Sequence, residues 1–208
     1  MVWSVGRDRW AAKIRGWRRA ESSAAGEDTD EVLLRGVAGG DQSALAALYR
    51  RHGGSLLAYL TGLTGDHGVA EELVQNTLLA VWRAAPGFRG QSSVRTWLFA
   101  IGRRQAAGRR RRDSGIGPVA RDDVLAALAS GAPGPEAVAL ARAEFAVVQA
   151  AVSRLSTVHR EVLHLVFVEG LSFQEIAMIN GVPVGTVKSR LSNARRALAG
   201  AVQRGEEG

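Results

Sequence analysis

Pro183 constrains this chain more than any other residue. It lies in LSFQEIAMINGVPVGTVKSRLSNARRAL, residues 171–198, whose apolar residues otherwise recur at helical spacing. Proline has no amide hydrogen to donate, and its ring excludes the preceding helical turn, so one continuous helix cannot form here. Gly181 supplies the stop. Ser172 followed three residues later by Glu175 fits a capping box and starts a helix whose apolar face is Phe173, Ile176, Ala177 and Ile179. After the break, Val187, Leu191, Ala194 and Leu198 make one apolar stripe. Two short helices around a glycine-containing turn form a helix-turn-helix.

With that stripe inward, Lys188, Ser189, Ser192 and Asn193 share a different face and can lie together in a major groove. Lysine donates to guanine acceptors, asparagine pairs both ways with adenine, and serine bonds several bases. Thr186, Arg190, Arg195 and Arg196 are better placed for phosphates, which position a protein without specifying sequence. The bland alternative is an ordinary helical hairpin with a solvated basic face.

The rest of the 208 residues supports a DNA-directed reading. Net charge is +7, which calls for an acidic partner, nucleic acid or an anionic membrane. Hydrophobic residues make up 46%, enough for helical cores, and strand-like alternation is not evident. There is no cysteine, so disulfides and thiolate metal sites are excluded. No apolar run reaches the roughly 20 residues that cross a bilayer. The N-terminus lacks the apolar core of a signal peptide, so a cytoplasmic location is expected.

Residues 1–29 are a basic extension in which Trp3, Trp10 and Trp17 recur every seven residues. On a helix they would line a basic amphipathic surface suited to a membrane or a partner protein; a disordered tail is the alternative. Residues 30–112 read as a helical domain. A short helix with Val32, Leu33 and Val37 inward ends at Gly39-Gly40. Asp41 caps the next, which turns Leu45, Leu48, Tyr49, Leu56, Leu57, Leu60 and Leu63 inward and has a candidate bend at Gly53-Gly54. Residues 66–84 bury Val69, Leu73, Val74, Thr77, Leu78, Val81 and Trp82, and carry Glu71, Glu72, Gln75 and Asn76 on the other side. A polar loop, Arg89 to Ser93, then precedes an arginine-rich helix with Trp97, Leu98 and Ile101 buried. A base leaving the stack needs hydrogen-bonding partners, which Gln91, Ser92 and Ser93 can supply. The exposed backbone needs positive charge, as on Arg95, Arg103, Arg104 and Arg109.

Glycine and proline crowd residues 113–135, which read as a flexible linker. Residues 136–202 read as a second domain of about four helices. Leu140, Phe145, Val148, Val152 and Leu155 face inward on its first helix. Ser156 or Thr157 caps its second, with Val158, Val162, Leu163, Val166 and Phe167 apolar. Residues 203–208 are a short acidic tail. The expected fold is all-α: two helical domains joined by a flexible linker.

No catalytic set stands out. His52, His67, His159 and His164 are scattered, no phosphate-binding Gly-Lys-Ser/Thr loop exists, and carboxylates fall mainly on exposed helix faces or near caps. Neither metal, cofactor nor small-molecule substrate is expected.

The run Gly-Val-Pro-Val-Gly-Thr-Val-Lys-Ser-Arg-Leu at 181–191 closely resembles the promoter-reading region of the extracytoplasmic-function (ECF) sigma factors of bacterial RNA polymerase. Residues 88–112 resemble that family's loop and helix that capture and melt the −10 element. The resemblance covers roughly 30–202, with both blocks in the right order. It implies that Glu71, Glu72, Gln75 and Asn76 dock on the polymerase clamp, with further contact at the flap. It implies that the 113–135 linker threads toward the active-site cleft and RNA exit path, and that 181–196 reads a duplex −35 element. It also implies that Arg89 and the other loop and helix residues named above hold a single-stranded −10 element, and that an anti-sigma factor is a partner. Asn76, Arg104 and Gly108 stand where the family usually has an acidic residue, asparagine and aspartate. Two other readings are a regulator that binds duplex DNA without polymerase, and an interaction protein using the tryptophan extension at a membrane or anti-sigma partner.

Overall fold

The computed structural model describes residues 29–113 and 150–206. The tryptophan-bearing extension, all but the first residue of the linker and the first part of the helix expected after Glu136 lie outside the described residues. Every regular element among the described residues is helical.

Helix starts follow side-chain capping, in which a short polar side chain accepts an amide otherwise left without a partner. Thr29 caps α1 (Asp30–Ala38), and Asp41 caps α2 (Gln42–Thr64) by accepting from the amides of Ser43 and Ala44. Asp66 caps α3 (His67–Ala84) through the Val69 amide. A short 3-10 turn, Ala85–Gly87, leads to the loop before α4 (Val94–Asp113). Ser93 starts α4: its hydroxyl accepts from the Thr96 amide at 3.2 Å, and its carbonyl from Trp97. In the C-terminal half, Ser156 caps α5 (Thr157–Leu163), which runs directly into a π-helical turn, His164–Val168. The Ser172–Glu175 capping box is formed and opens α6 (Phe173–Asn180). Gly181 ends α6 at φ +62°, a left-handed backbone that favours glycine, and α7 (Val184–Glu206) begins one residue after Pro183.

Several apolar assignments need correction. Tyr49 is half exposed, and α2 runs uninterrupted through Gly53-Gly54. The reason is local: a β-carbon at Gly53 would lie 2.6 Å from the Tyr49 ring, so the glycine makes room for the ring along its own helix. Val32 and Val158 also face outward, with Leu33, Leu34 and Val37 taking the core side of α1.

Two clusters fill the interior among the described residues. One is confined to the N-terminal half and joins α1 residues to Leu48, Val81, Val94, Leu98 and Ile101. The other crosses the chain: Leu56, Tyr59, Leu60, Leu73 and Phe99 share a core with Leu155, Val162, Leu165, Ile176, Val187 and Leu191. Helix α4 packs on α6, and α2 packs on α5. Full burial of side chains such as Phe99 and Leu60 contributes roughly 1.5–3 kcal/mol each. The two halves are therefore pressed together by an apolar interior and not only tethered.

Candidate nucleic-acid interface

Helix α7 turns Val187, Leu191 and Ala194 inward and leaves Lys188, Ser189, Ser192, Asn193, Arg195 and Arg196 exposed. The stripe and the polar face thus divide as the spacing predicts. Ser189 donates its hydroxyl to the Thr186 carbonyl (3.0 Å), and Arg196 donates to the Asn193 side-chain oxygen (2.5 Å). Arg195 stacks over the Phe167 ring, 5.5 Å from its centroid. Thr186 and Arg190 are half-buried. One terminal nitrogen of Arg190 is shielded from water and without a hydrogen-bond partner among the described residues, a costly state.

The residues expected to hold an unpaired strand separate into two groups. Arg89, Gln91 and Arg104 are exposed, Ser92 is half-buried, and Ser93 spends its hydroxyl on the α4 cap. Arg109 reaches back to Glu72 at 2.5 Å, joining the strand-holding set to the α3 face. Arg95 and Arg103 instead turn toward the C-terminal half. Arg95 donates to the backbone carbonyl of Glu169 at 3.0 Å and to its carboxylate. Arg103 donates to the Glu161 carboxylate at 2.7 Å, which also accepts from the buried Tyr59 hydroxyl at 2.8 Å. The Thr96 hydroxyl donates to Glu175 at 3.0 Å. Trp97 is half-buried against Phe88, with ring centroids 5.1 Å apart, which supports a packing role.

Electrostatics follow this pairing. Burial opposes the Arg103 charge, yet the hydrogen bond and charge of Glu161 outweigh it and raise the guanidinium pKa. Burial, then the Glu161 charge and hydrogen bond, push the Tyr59 hydroxyl well above its ordinary 10.0. Burial also opposes the Glu175 charge. The Ser172 amide and hydroxyl, Thr96 and the Arg95 charge prevail and hold its carboxyl below the usual range.

The expectation that carboxylates sit on exposed faces or near caps fails at Glu161 and Glu169, which are 5% and 4% exposed. A sequence signal existed. Arg95, Phe99 and Arg103 follow one another at four-residue spacing on α4, and Glu161, Leu165 and Glu169 do so along α5 and its π-helical turn. The charged ends of the two stripes pair in antiparallel order, first with last. On α3, Glu71, Glu72, Gln75 and Asn76 are exposed together, with Glu71 3.5 Å from His67. Leu79, 55% exposed, extends that face by one turn, an apolar contact that a reading of charges alone passes over. Among the described residues no cluster of His, Cys, Asp or Glu could hold a metal, and no helix is long and apolar enough to cross a membrane.

Comparison with known proteins matches both halves separately. The family model described as Sigma-70 region 2 matches residues 48–115, and that described as Sigma-70, region 4 matches residues 145–198. RNA polymerase sigma factor NccH of Alcaligenes xylosoxydans xylosoxydans is 35% identical over 178 residues, 84% of this chain and 95% of that protein. ECF RNA polymerase sigma factor SigL of Mycobacterium tuberculosis is 34% identical over 79% of this chain and 92% of its own length. This chain belongs to the ECF sigma factors. Its fold is similar to that of CnrH, solved in complex with the cytosolic domain of CnrY (TM-score 0.62, 28% identity, 85% of this chain and 99% of that one). It is also similar to the sigma factor RpoE of Bartonella quintana, solved in complex with the anti-sigma factor NepR (TM-score 0.58, 27% identity, 76% and 96% covered). Likeness along both halves supports a sigma factor over a duplex-binding regulator that works without polymerase. In this sigma factor, the region 2 match contains α3 and α4, and the region 4 match contains α6 and α7 as far as Leu198.

Proposed function

We propose that this sigma factor binds core RNA polymerase through the α3 face (Glu71, Glu72, Gln75 and Asn76, with Leu79) and through flap contacts of its C-terminal half. Helix α7 reads a duplex −35 element: Lys188, Ser189, Ser192 and Asn193 face base edges, and Thr186, Arg190, Arg195 and Arg196 face phosphates. The loop and helix from Arg89 to Arg109 hold the unpaired −10 strand. Gln91, Ser92 and Ser93 lie toward bases, and Arg89, Arg95, Arg103, Arg104 and Arg109 toward the backbone. The working units are 30–112, a 113–135 linker and 136–202. The protein acts in the cytoplasm, has no catalytic chemistry of its own, and is held in check by an anti-sigma factor. Its contribution is differential binding, in which contacts with the open strand offset part of the cost of unpairing DNA.

The observation that carries this reading is the division of α7 into a buried apolar stripe and an exposed base-reading face, in a chain of this family. Run-off transcription with purified core polymerase on a promoter library tests it. Added protein is expected to direct initiation to one class of promoter. A sample that neither associates with core enzyme nor redirects its start sites would overturn it.

A further inference from the structure

The tryptophan motif of the N-terminal extension is left without a task by the polymerase and promoter readings. Trp3, Trp10 and Trp17 recur every seven residues, and Ile14 falls between the last two. Placed on a helix of 3.6 residues per turn, these four occupy a sector about 60° wide. Arg7 and Arg18 border that sector on one side and Lys13 on the other. Asp8 is the one acid before Ala20, and no proline interrupts residues 1–29. The region 2 match begins at residue 48, so the motif lies outside the part of the chain shared with that family model. A duplex phosphate backbone uses the charge and has no use for an ordered apolar stripe. An anionic bilayer uses both. Tryptophan rings settle at the headgroup level, and flanking arginine and lysine stems lie along apolar surface while their charged heads stay with lipid phosphates.

We propose that residues 1–19 are a peripheral membrane anchor, an amphipathic helix lying in the headgroup layer of an anionic bilayer with its tryptophan stripe toward the acyl chains. The segment lies on the bilayer and does not cross it, since no apolar run reaches the roughly 20 residues that a span requires. Its attachment to the folded body is defined. The chain enters α1 at Thr29, which caps that helix, and Asp30 in the first turn holds Arg51 at 2.6 Å and His52 at 2.7 Å on α2. Residues 20–28, between anchor and cap, are small, polar or acidic, and reach about 30 Å at full extension. Glu21, Glu27 and Asp28 in that spacer are repelled by the surface that attracts the anchor. The repulsion sets the anchor's boundary near Ala20 and keeps the folded body off the bilayer, within the spacer's reach. A single anchor of this size binds reversibly, so the sigma factor partitions between the membrane surface and polymerase according to salt and lipid charge.

Flotation of the full chain with lipid vesicles tests the anchor, with circular dichroism checking the folding of each variant. The parent is expected to float with mixed phosphatidylglycerol and phosphatidylcholine vesicles at low salt. Binding should fall about tenfold or more on phosphatidylcholine alone or at high salt. W3A/W10A/W17A is expected to lose about tenfold or more of the binding to anionic vesicles, and so is a chain with residues 1–19 scrambled at constant composition. Tryptophan emission of the parent should shift to the blue on adding anionic vesicles, and the triple variant, which keeps Trp82 and Trp97, should show no such shift. A parent that does not float, or variants that float as well as the parent, would overturn the anchor. Equal binding to neutral vesicles would overturn its anionic preference. Loss of duplex or oligothymidylate binding in the triple variant, with vesicle binding unchanged, would assign the stripe to nucleic acid and overturn the membrane reading.

Discussion

Replacing Glu161 by alanine tests the centre of the interface most directly. Its carboxylate is 5% exposed and accepts from Tyr59 at 2.8 Å and Arg103 at 2.7 Å. Removal leaves two donors unsatisfied. Stranding the buried tyrosine hydroxyl costs about 1–3 kcal/mol. Breaking a buried ion pair by removing one member costs about 3–5 kcal/mol. The Arg103 side chain keeps 28% of its exposure, so water reaches it in part and its share falls toward the lower bound. The combined expectation is about 3 kcal/mol, well below the sum of the two figures because the donors share one acceptor. Urea unfolding followed by circular dichroism on the full chain measures it. Tyr59→Phe alone should cost about 1–2 kcal/mol, and much less once Glu161 is already alanine. A loss below about 1 kcal/mol for Glu161→Ala, or strict additivity with Tyr59→Phe, would refute the claim that one buried carboxylate ties both halves.

Other expectations follow from the same contacts. Glu175 has a lowered pKa in the folded chain, so its contribution is present above its unfolded value of 4.5 and is lost as pH falls through the folded value. Stability should therefore fall as pH drops below 4.5, and E175Q should flatten that limb. Tyr59 has the opposite sign. Its raised pKa gives stability that is complete below 10.0 and is lost as pH rises toward the folded value, so Tyr59→Phe should blunt alkaline unfolding followed by circular dichroism. Lys188→Ala and Asn193→Ala should each weaken selectivity for the matched −35 element by roughly 1–3 kcal/mol in competition binding. Arg195→Ala or Arg196→Ala should lower affinity for matched and scrambled duplexes alike and flatten the salt dependence. Gln91→Ala should impair opening of duplex promoters more than use of pre-melted templates in run-off assays. Ser93 is a poorer probe, because its loss also removes the α4 cap, worth about 1 kcal/mol.

Local chemistry was readable from the residues alone because it depends on neighbours within one helical turn. Asp41, Ser156 and the Ser172–Glu175 box cap the helices they were expected to cap, and the break at Gly181 and Pro183 divides α6 from α7. The buried stripe of α7 was equally plain. Tyr49 was misread because periodicity gives a wide arc and does not say which flank of it is covered. The space above Gly53 decided that case. Glu161 and Glu169 were misread for a different reason. A glutamate on a helix is solvated unless a partner meets it, and here the partners lie 58 and 74 residues away. Nothing within one element reveals that meeting. The signal is carried jointly by two stripes of opposite charge, each with an aromatic or aliphatic residue at its middle.

That joint pattern also bears on how a strongly basic chain folds at all. A surplus of arginine on α4 favours DNA and opposes compaction by self-repulsion. Burying an arginine unpaired is costly, so a helix with Arg95 and Arg103 flanking Phe99 can bury its apolar centre only if acids meet both ends. Glu169 and Glu161 meet them, and Leu165 between those acids lies in the same core as Phe99. Charge alone would not hold the halves, since exposed pairs contribute little. The apolar centre alone would not hold them either, since its burial would leave both arginines unpaired. Only the combination lets a helix this basic bury Phe99 in the core that both halves share.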